Sequence, residues 1–128
     1  MEKAYGFGQF SPPLLNNLAV VYGKLGETNR AIQLYEEIIL SFPNYIFAHQ
    51  NLGTLYEKKG WWHKAEREYY QALQLQPNFI PSLLSLGKLM ARKGKLTWAS
   101  WYYQKVLSID PDNQKAQQAL ENLGRLIK

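Results

Sequence analysis

The sequence predicts an all-α fold assembled from repeated helix–turn–helix units. Three observations lead there. Apolar residues recur at helical spacing, as in Leu15, Leu18, Ala19 and Tyr22 at i, i+3, i+4 and i+7. Five residue types return at a constant interval of 34 positions: Leu18, Leu52 and Leu86; Gly26, Gly60 and Gly94; Ala31, Ala65 and Ala99; Tyr35, Tyr69 and Tyr103; Pro43, Pro77 and Pro111. No segment alternates polar and apolar residues as a half-buried strand would. Composition alone does not place five columns in register three times, so the chain is an array of about seven helices.

The elements follow in order. Residues 1–11 are an N-terminal tail whose stretch Tyr5-Gly6-Phe7-Gly8-Gln9-Phe10 is too glycine-rich for a helix and too aromatic for an inert extension. The expectation is that Tyr5, Phe7 and Phe10 fold back over Leu14 and Val21, or that this end pairs with a second copy or further repeats. Ser11 caps the first helix, with Pro12 and Pro13 where amide hydrogens have no helical acceptor. Gly26 supplies the left-handed residue that ends it. A second helix follows, with Ala31, Tyr35, Ile38 and Ile39 inward, and Pro43 stops it.

That first unit spans residues 12–45. The second, 46–79, repeats the scheme through Leu52, Gly53, Tyr56, Gly60, Ala65, Tyr69, Ala72 and Pro77. The third, 80–113, does so through Leu86, Gly87, Met90, Gly94, Ala99, Tyr103, Val106 and Pro111. After each proline stands Asn44, Asn78 or Asp112, expected to accept amide hydrogens of the next helix. Ala19, Gly53 and Gly87 sit where the first helix of a pair approaches the second, matched by Ala31, Ala65 and Ala99. The larger Tyr22, Tyr35, Tyr56, Tyr69 and Tyr103 fill the space between pairs. Residues 114–128 close the array with an apolar stripe of Ala116, Ala119, Leu120, Leu123 and Ile127.

Composition narrows the function classes. At 128 residues, 46% hydrophobic and 20% charged, the chain has the length of one domain and the apolar content of a folded one. Its apolar runs are only a few residues long, so no membrane span is expected. The opening Met-Glu-Lys-Ala-Tyr-Gly lacks the basic-then-apolar pattern of a secretory signal. Without cysteine there is no disulfide framework, thiolate metal site or thiol nucleophile, which fits a cytoplasmic protein. A net charge of +5 is mild and its basic residues are scattered through the helices, so nucleic acid is not the expected partner. RNA or another polyanion, prompted by the basic balance, stands as a minor alternative.

The pattern Leu52-Gly53-Thr54-Leu55-Tyr56 with Gly60, Ala65, Tyr69, Ala72 and Pro77 resembles the tetratricopeptide repeat (TPR) family. Over roughly residues 12–127 the resemblance implies three repeats, 12–45, 46–79 and 80–113, with 114–128 as a C-terminal capping helix. Ala19 stands where unit one would have glycine, Met90 where unit three would have tyrosine, and Ile38 and Val106 where a small residue is usual. The family implies a right-handed superhelical α-solenoid whose concave groove is lined by the first helix of each unit, and a protein or peptide partner rather than a cofactor.

In that register the peptide-binding groove takes Asn16, Asn17, Val20 and Lys24 from unit one. Unit two adds Phe47, Gln50, Asn51, Thr54 and Lys58; unit three adds Pro81, Leu84, Ser85, Lys88 and Arg92; the last helix adds Gln118, Asn122 and Arg125. Asn17 and Asn51 share a repeat position, and a side-chain amide both donates to and accepts from a peptide backbone. The pair resembles the asparagine ladder in the repeats of O-linked N-acetylglucosamine transferase, interrupted here by Ser85. Lys24, Lys58 and Arg92 share another column and favour an acidic or C-terminal carboxylate ligand, although cations at helix C-termini also serve the helix dipole. The carboxylate clamp of chaperone-binding repeats would need Lys, Asn, Asn, Lys and Arg where this chain has Asn16, Val20, Asn51, Pro81 and Ser85. Only Asn51 agrees, so a clamp of that type is not expected.

No catalytic constellation emerges. His49 and His63 stand alone, the first expected between helices and the second facing solvent; no phosphate loop, metal-ligand spacing or serine-nucleophile motif is present. An enzyme is therefore not expected. A second interface is expected at Trp98, Trp101 and Tyr102, at i, i+3 and i+4 on one helix face, with Trp61 at a turn and Trp62 packed. Clustered exposed aromatic rings suit a homo-oligomer contact or a second partner.

Overall fold

The computed structural model describes residues 10–127, with side chains through Leu126. The expected covering of α1 by Tyr5 and Phe7 lies outside the described residues. Seven α-helices and no strand occur among those residues: α1 (Pro12–Lys24), α2 (Thr28–Ser41), α3 (Ile46–Lys58), α4 (Trp62–Leu75), α5 (Ile80–Arg92), α6 (Leu96–Ile109) and α7 (Gln114–Ile127). The fold is an all-α helical repeat. It divides into two compact units, residues 1–68 and 69–128, with the division inside α4.

In the first unit α1 packs on α2 and α3, and α2 packs on α3. Ser11 holds the start of α1 by accepting the Leu14 amide hydrogen on its Oγ at 3.4 Å, and the helix opens with Pro12 and Pro13. Gly26 and Gly60, at φ 85° and 79°, turn the chain after α1 and α3 through backbone that an L side chain resists. The core is Leu15, Ala19, Ala31, Ile32, Tyr35, Ile38, Ala48, Leu52, Leu55, Tyr56 and Ala65. Alanines at 19, 31, 48 and 65 leave no surface exposed, and this lets the helices close to short range around the tyrosines. The outer face of α1 is different. Leu14, Leu18, Val21 and Leu25 run down it at helical spacing, and all are exposed, although Leu52 in the same repeat column as Leu18 is buried.

In the second unit α5 packs on α6 and α7, and α6 on α7. Its core is Tyr69, Ala72, Phe79, Leu83, Leu86, Leu89, Met90, Ala99, Tyr102, Tyr103, Val106, Ala116 and Leu123. Gly87 is there for lack of room. A Cβ on it would stand 2.8 Å from Cε1 and 2.9 Å from Cζ of Tyr103, so the Tyr103 ring occupies the space a side chain would need. On α7 Ala116 and Leu123 are buried, whereas Ala119 and Leu120 are only half-buried.

The expected capping by Asn44, Asn78 and Asp112 does not occur. Tyr45 and Phe79 occupy the N-cap positions of α3 and α5 without side-chain hydrogen bonds. Backbone carbonyls do the work instead: those of Tyr45 and Phe79 accept the amide hydrogens of Ala48 and Ser82 at 3.2 Å. At α7 the capping acceptor is the next residue, Asn113, whose Oδ1 takes the Ala116 amide hydrogen at 2.9 Å. Each helix starts one residue later than proline spacing suggests, so the residue after proline lies too far back to reach its free amides.

Candidate functional site

A cleft of about 320 Å³ opens in the first unit. Ala19, Val20, Gly23 and Lys24 of α1 form one wall, Asn51, Thr54, Leu55 and Lys58 of α3 the other, and Tyr35 of α2 lies at its back. The helical repeat explains the pairing. Val20 and Thr54 are 34 residues apart, as are Lys24 and Lys58, so the same faces of α1 and α3 turn toward one space.

The back wall is a fixed polar chain. Nδ2 of Asn51 donates to Oδ1 of the buried Asn16 at 3.1 Å, and the Asn51 side chain also hydrogen-bonds the Tyr35 hydroxyl. Burial pushes the Tyr35 hydroxyl up to about 12 against the opposing influence of Asn51, with Tyr45 adding to the rise, so the phenol stays protonated at neutral pH. Thr54 directs its hydroxyl hydrogen to its own helix, Oγ1 to the Gln50 carbonyl at 3.2 Å, which leaves its oxygen as an acceptor toward the cleft. Lys24 and Lys58 are exposed at the rim, and neither has an acidic partner among the described residues. No carboxylate lines the cleft.

Of the groove residues expected from sequence in this unit, Lys24, Asn51, Thr54 and Lys58 come together there, with Val20 beside them. Asn17 does not line the cleft, and it is Asn16 that meets Asn51. Phe47 is exposed and sets its ring edge against Tyr45, centroids 5.5 Å apart; Gln50 is half-buried. In the second unit Lys88 and Arg92 are exposed on α5 and Leu84 is half-buried. On α7 Asn122 Oδ1 accepts from Gln118 at 3.3 Å and from Arg125 at 3.1 Å. Sequence reasoning missed Ala19, Gly23, Tyr35 and Leu55 as cleft residues. Gly23 alone left a signal, since Glu57 and Ala91 stand at its repeat position.

The aromatic surface needs two corrections. Tyr102 is not exposed: at 7% it belongs to the buried stripe Ala99, Tyr102, Tyr103 and Val106, whose helical spacing carries it inward. Trp62, expected to be packed, is 39% exposed. Trp98 and Trp101 are exposed at 55% and 49%, their rings edge to face at 6.0 Å, and Trp101 rests on Tyr102 at 5.1 Å. Trp61 is also exposed, but Lys59 and Lys64 stand over its ring at 5.5 and 5.1 Å, and Lys64 also reaches the Tyr56 ring at 5.3 Å.

His49 is buried with two polar partners, Glu68 and the Pro43 carbonyl. His63 is exposed. No group of three metal-ligating side chains occurs among the described residues, and no helix there is long and apolar enough to cross a membrane.

The family described as the middle TPR-like domain of cilia and flagella-associated protein 70 matches residues 15–126. No curated protein sequence matches this chain. Among solved structures, the first TPR of Spaghetti (RPAP3), bound to the HSP90 peptide SRMEEVD, superposes with a TM-score of 0.84 at 22% identity, covering 91% of this chain and 92% of that one. A TPR protein from Parabacteroides merdae gives 0.83 at 23% identity over 95% of this chain and 46% of its own. The Arabidopsis OM64 TPR domain gives 0.82 at 17% identity, covering 89% and 94%. Likeness at these identities is likeness of fold.

Proposed function

Because this chain belongs to the tetratricopeptide repeat family, in the group typified by the middle TPR-like domain of cilia and flagella-associated protein 70, we propose that it is a non-catalytic interaction module. It holds a peptide or helix of a partner protein and serves as a cytoplasmic adaptor or scaffold. The observation that carries this reading is the preformed cleft between α1 and α3, with its back wall fixed by Asn16, Asn51 and Tyr35. A wall already ordered by internal hydrogen bonds lowers the conformational cost of binding. The peptide seen on the Spaghetti repeat domain supports a partner of the same general kind.

The test replaces Thr54 with Trp to fill the cleft, then compares partner retention with that of the wild type and of Trp98→Ala/Trp101→Ala. Loss of the partner only with Thr54→Trp is expected. Equal retention by the filled and open proteins would sink the reading.

A self-associating scaffold is the second reading, favoured by the exposed Trp98 and Trp101 on α6. Exposed, adjacent tryptophans are the side chains that most often anchor interfaces. Sedimentation of the wild type as a dimer or larger species, reduced to monomer by Trp98→Ala/Trp101→Ala, is the outcome this reading requires; a wild type that is monomeric at high concentration overturns it.

A further inference from the structure

Gly23 has neither a backbone nor a packing reason to be glycine. It lies inside α1, and its φ is outside the left-handed region that Gly26, Gly60 and Gly94 occupy. A Cβ built on it would meet only Cδ2 of Leu55 at 4.0 Å, an ordinary contact. Alanine would favour the helix and displace nothing. Nor is the glycine part of the repeat, since Glu57 and Ala91 hold the equivalent positions. What the missing side chain does is leave room in the wall of the cleft between α1 and α3.

The rim beside that gap carries two ammonium groups and no carboxylate. Lys24 and Lys58 lie in the last turns of α1 and α3 and line the same cleft. Three acidic residues of the first unit are engaged elsewhere, Glu27 with Arg30, Glu36 with the Tyr56 hydroxyl and Glu68 with His49. Glu37, Glu57 and Glu66 are not among the residues that line the cleft. A lysine anywhere in a last turn would complement the helix dipole. That role does not require the two lysines to line the two walls of one cleft that no carboxylate lines.

We propose that this cleft takes an acidic segment of a partner peptide, with Asp or Glu side-chain carboxylates held by Lys24 and Lys58 and the adjoining peptide lying over Gly23 against Val20 and Leu55. The proposal rests on the reading of the cleft as a peptide site and names what it selects. The walls favour a peptide over a bare polyanion, because Val20 gives partly exposed apolar surface beside the gap at Gly23 that phosphates would leave unused. They favour side-chain carboxylates over a terminal one. The cleft is bordered by helix C-terminal turns, which present carbonyl oxygens rather than convergent amide hydrogens, so its cations are long, mobile side chains. These match a carboxylate at the end of another mobile side chain.

The probe is a random dodecapeptide library displayed with its C-termini fused, so that no member carries a free terminal carboxylate, selected on the full chain. Binders to the wild type are expected to be enriched at least tenfold in Asp and Glu. That enrichment should vanish on Lys24→Met/Lys58→Met, which should stay folded because both side chains are exposed and only their small helix-dipole contribution is lost. Affinity of selected peptides should fall in the order Gly23, Gly23→Ala, Gly23→Leu as the gap fills, and Gly23→Ala keeps the fold even if the leucine variant does not. Binders that respond to Gly23→Ala but show no acidic bias would overturn the ligand class and leave the peptide site standing. Binders indifferent to both the lysines and Gly23, or no binders, would overturn the two together. If synthetic peptides bind only with a free terminal carboxylate, the side-chain assignment is wrong.

Discussion

Nδ1 of His49 lies 2.8 Å from Oε1 of Glu68, while its Nε2 lies 2.8 Å from the carbonyl oxygen of Pro43. A neutral imidazole can donate to only one of these acceptors; the imidazolium donates to both. Burial opposes the charge, but the Glu68 carboxylate and the Pro43 carbonyl prevail, and His49 is held above the usual histidine range.

A stability that declines with rising pH follows. Because the folded pKa is raised, the His49 contribution is complete below the unfolded value near 6.5 and is lost as pH climbs through the higher folded value. Denaturant unfolding across pH 6 to 9 should show this fall, and His49→Gln should flatten it. The substitution should also cost about 1–3 kcal/mol at pH 6, the usual range for losing hydrogen bonds to a charged group.

The tyrosines set a second, alkaline limit. The Tyr35 hydroxyl is pushed up to about 12 by burial, and that of Tyr56 is raised by burial and by its 2.6 Å hydrogen bond to Oε2 of Glu36. Both favour the folded state below pH 10, and the benefit disappears as pH rises toward and past 12. The part of the tyrosinate absorbance that Tyr35→Phe and Tyr56→Phe remove should therefore appear together with loss of helix rather than before it. Tyr56→Phe should cost about 1–2 kcal/mol at neutral pH, since it leaves the Glu36 carboxylate without its phenol donor.

Gly87 and Tyr103 should be coupled. Gly87→Ala forces the new methyl against ring carbons at 2.8 and 2.9 Å and should destabilise by about 1–3 kcal/mol, as overpacking does. Tyr103→Phe keeps those ring carbons and should give no relief. Tyr103→Leu should recover much of the alanine penalty in a double-mutant cycle, and purely additive effects would contradict the geometry.

Two neighbouring glycines should respond in opposite senses. Gly23→Ala should stabilise by about 0.5–1 kcal/mol, because the helix gains a better former and the space is open. Gly26→Ala should destabilise by about 1 kcal/mol although its surroundings are also open, because its φ of 85° burdens any L side chain. Thermal melts shifted by a few degrees up and down, respectively, check both.

The helices were legible because the 34-residue interval fixes both the buried faces and the turns, and Gly26, Gly60 and Gly94 adopt the conformation that interval implies. What escaped were details that depend on a side chain's direction rather than its column. Tyr102 lies one residue from the exposed Trp101 yet turns inward with Ala99 and Val106. Asn51 meets Asn16 rather than its column-mate Asn17, since side chains of neighbouring helices need not pair in repeat register. The capping role fell to Asn113 instead of Asp112 for the same one-residue reason. The cleft was half legible. Its lysines announce themselves as a repeated pair, but Gly23 counts only once the space beside it is known.

The bare outer face of α1 gives the cleft a mechanical side. Leu14, Leu18, Val21 and Leu25 are exposed, and among the described residues the inner face of that helix supplies its buried contacts. Fraying should be easiest there, with amide exchange faster in α1 than in α3. Since α1 supplies one wall of the cleft and α3 the other, an occupant spanning both would brace the loose helix against the firm one.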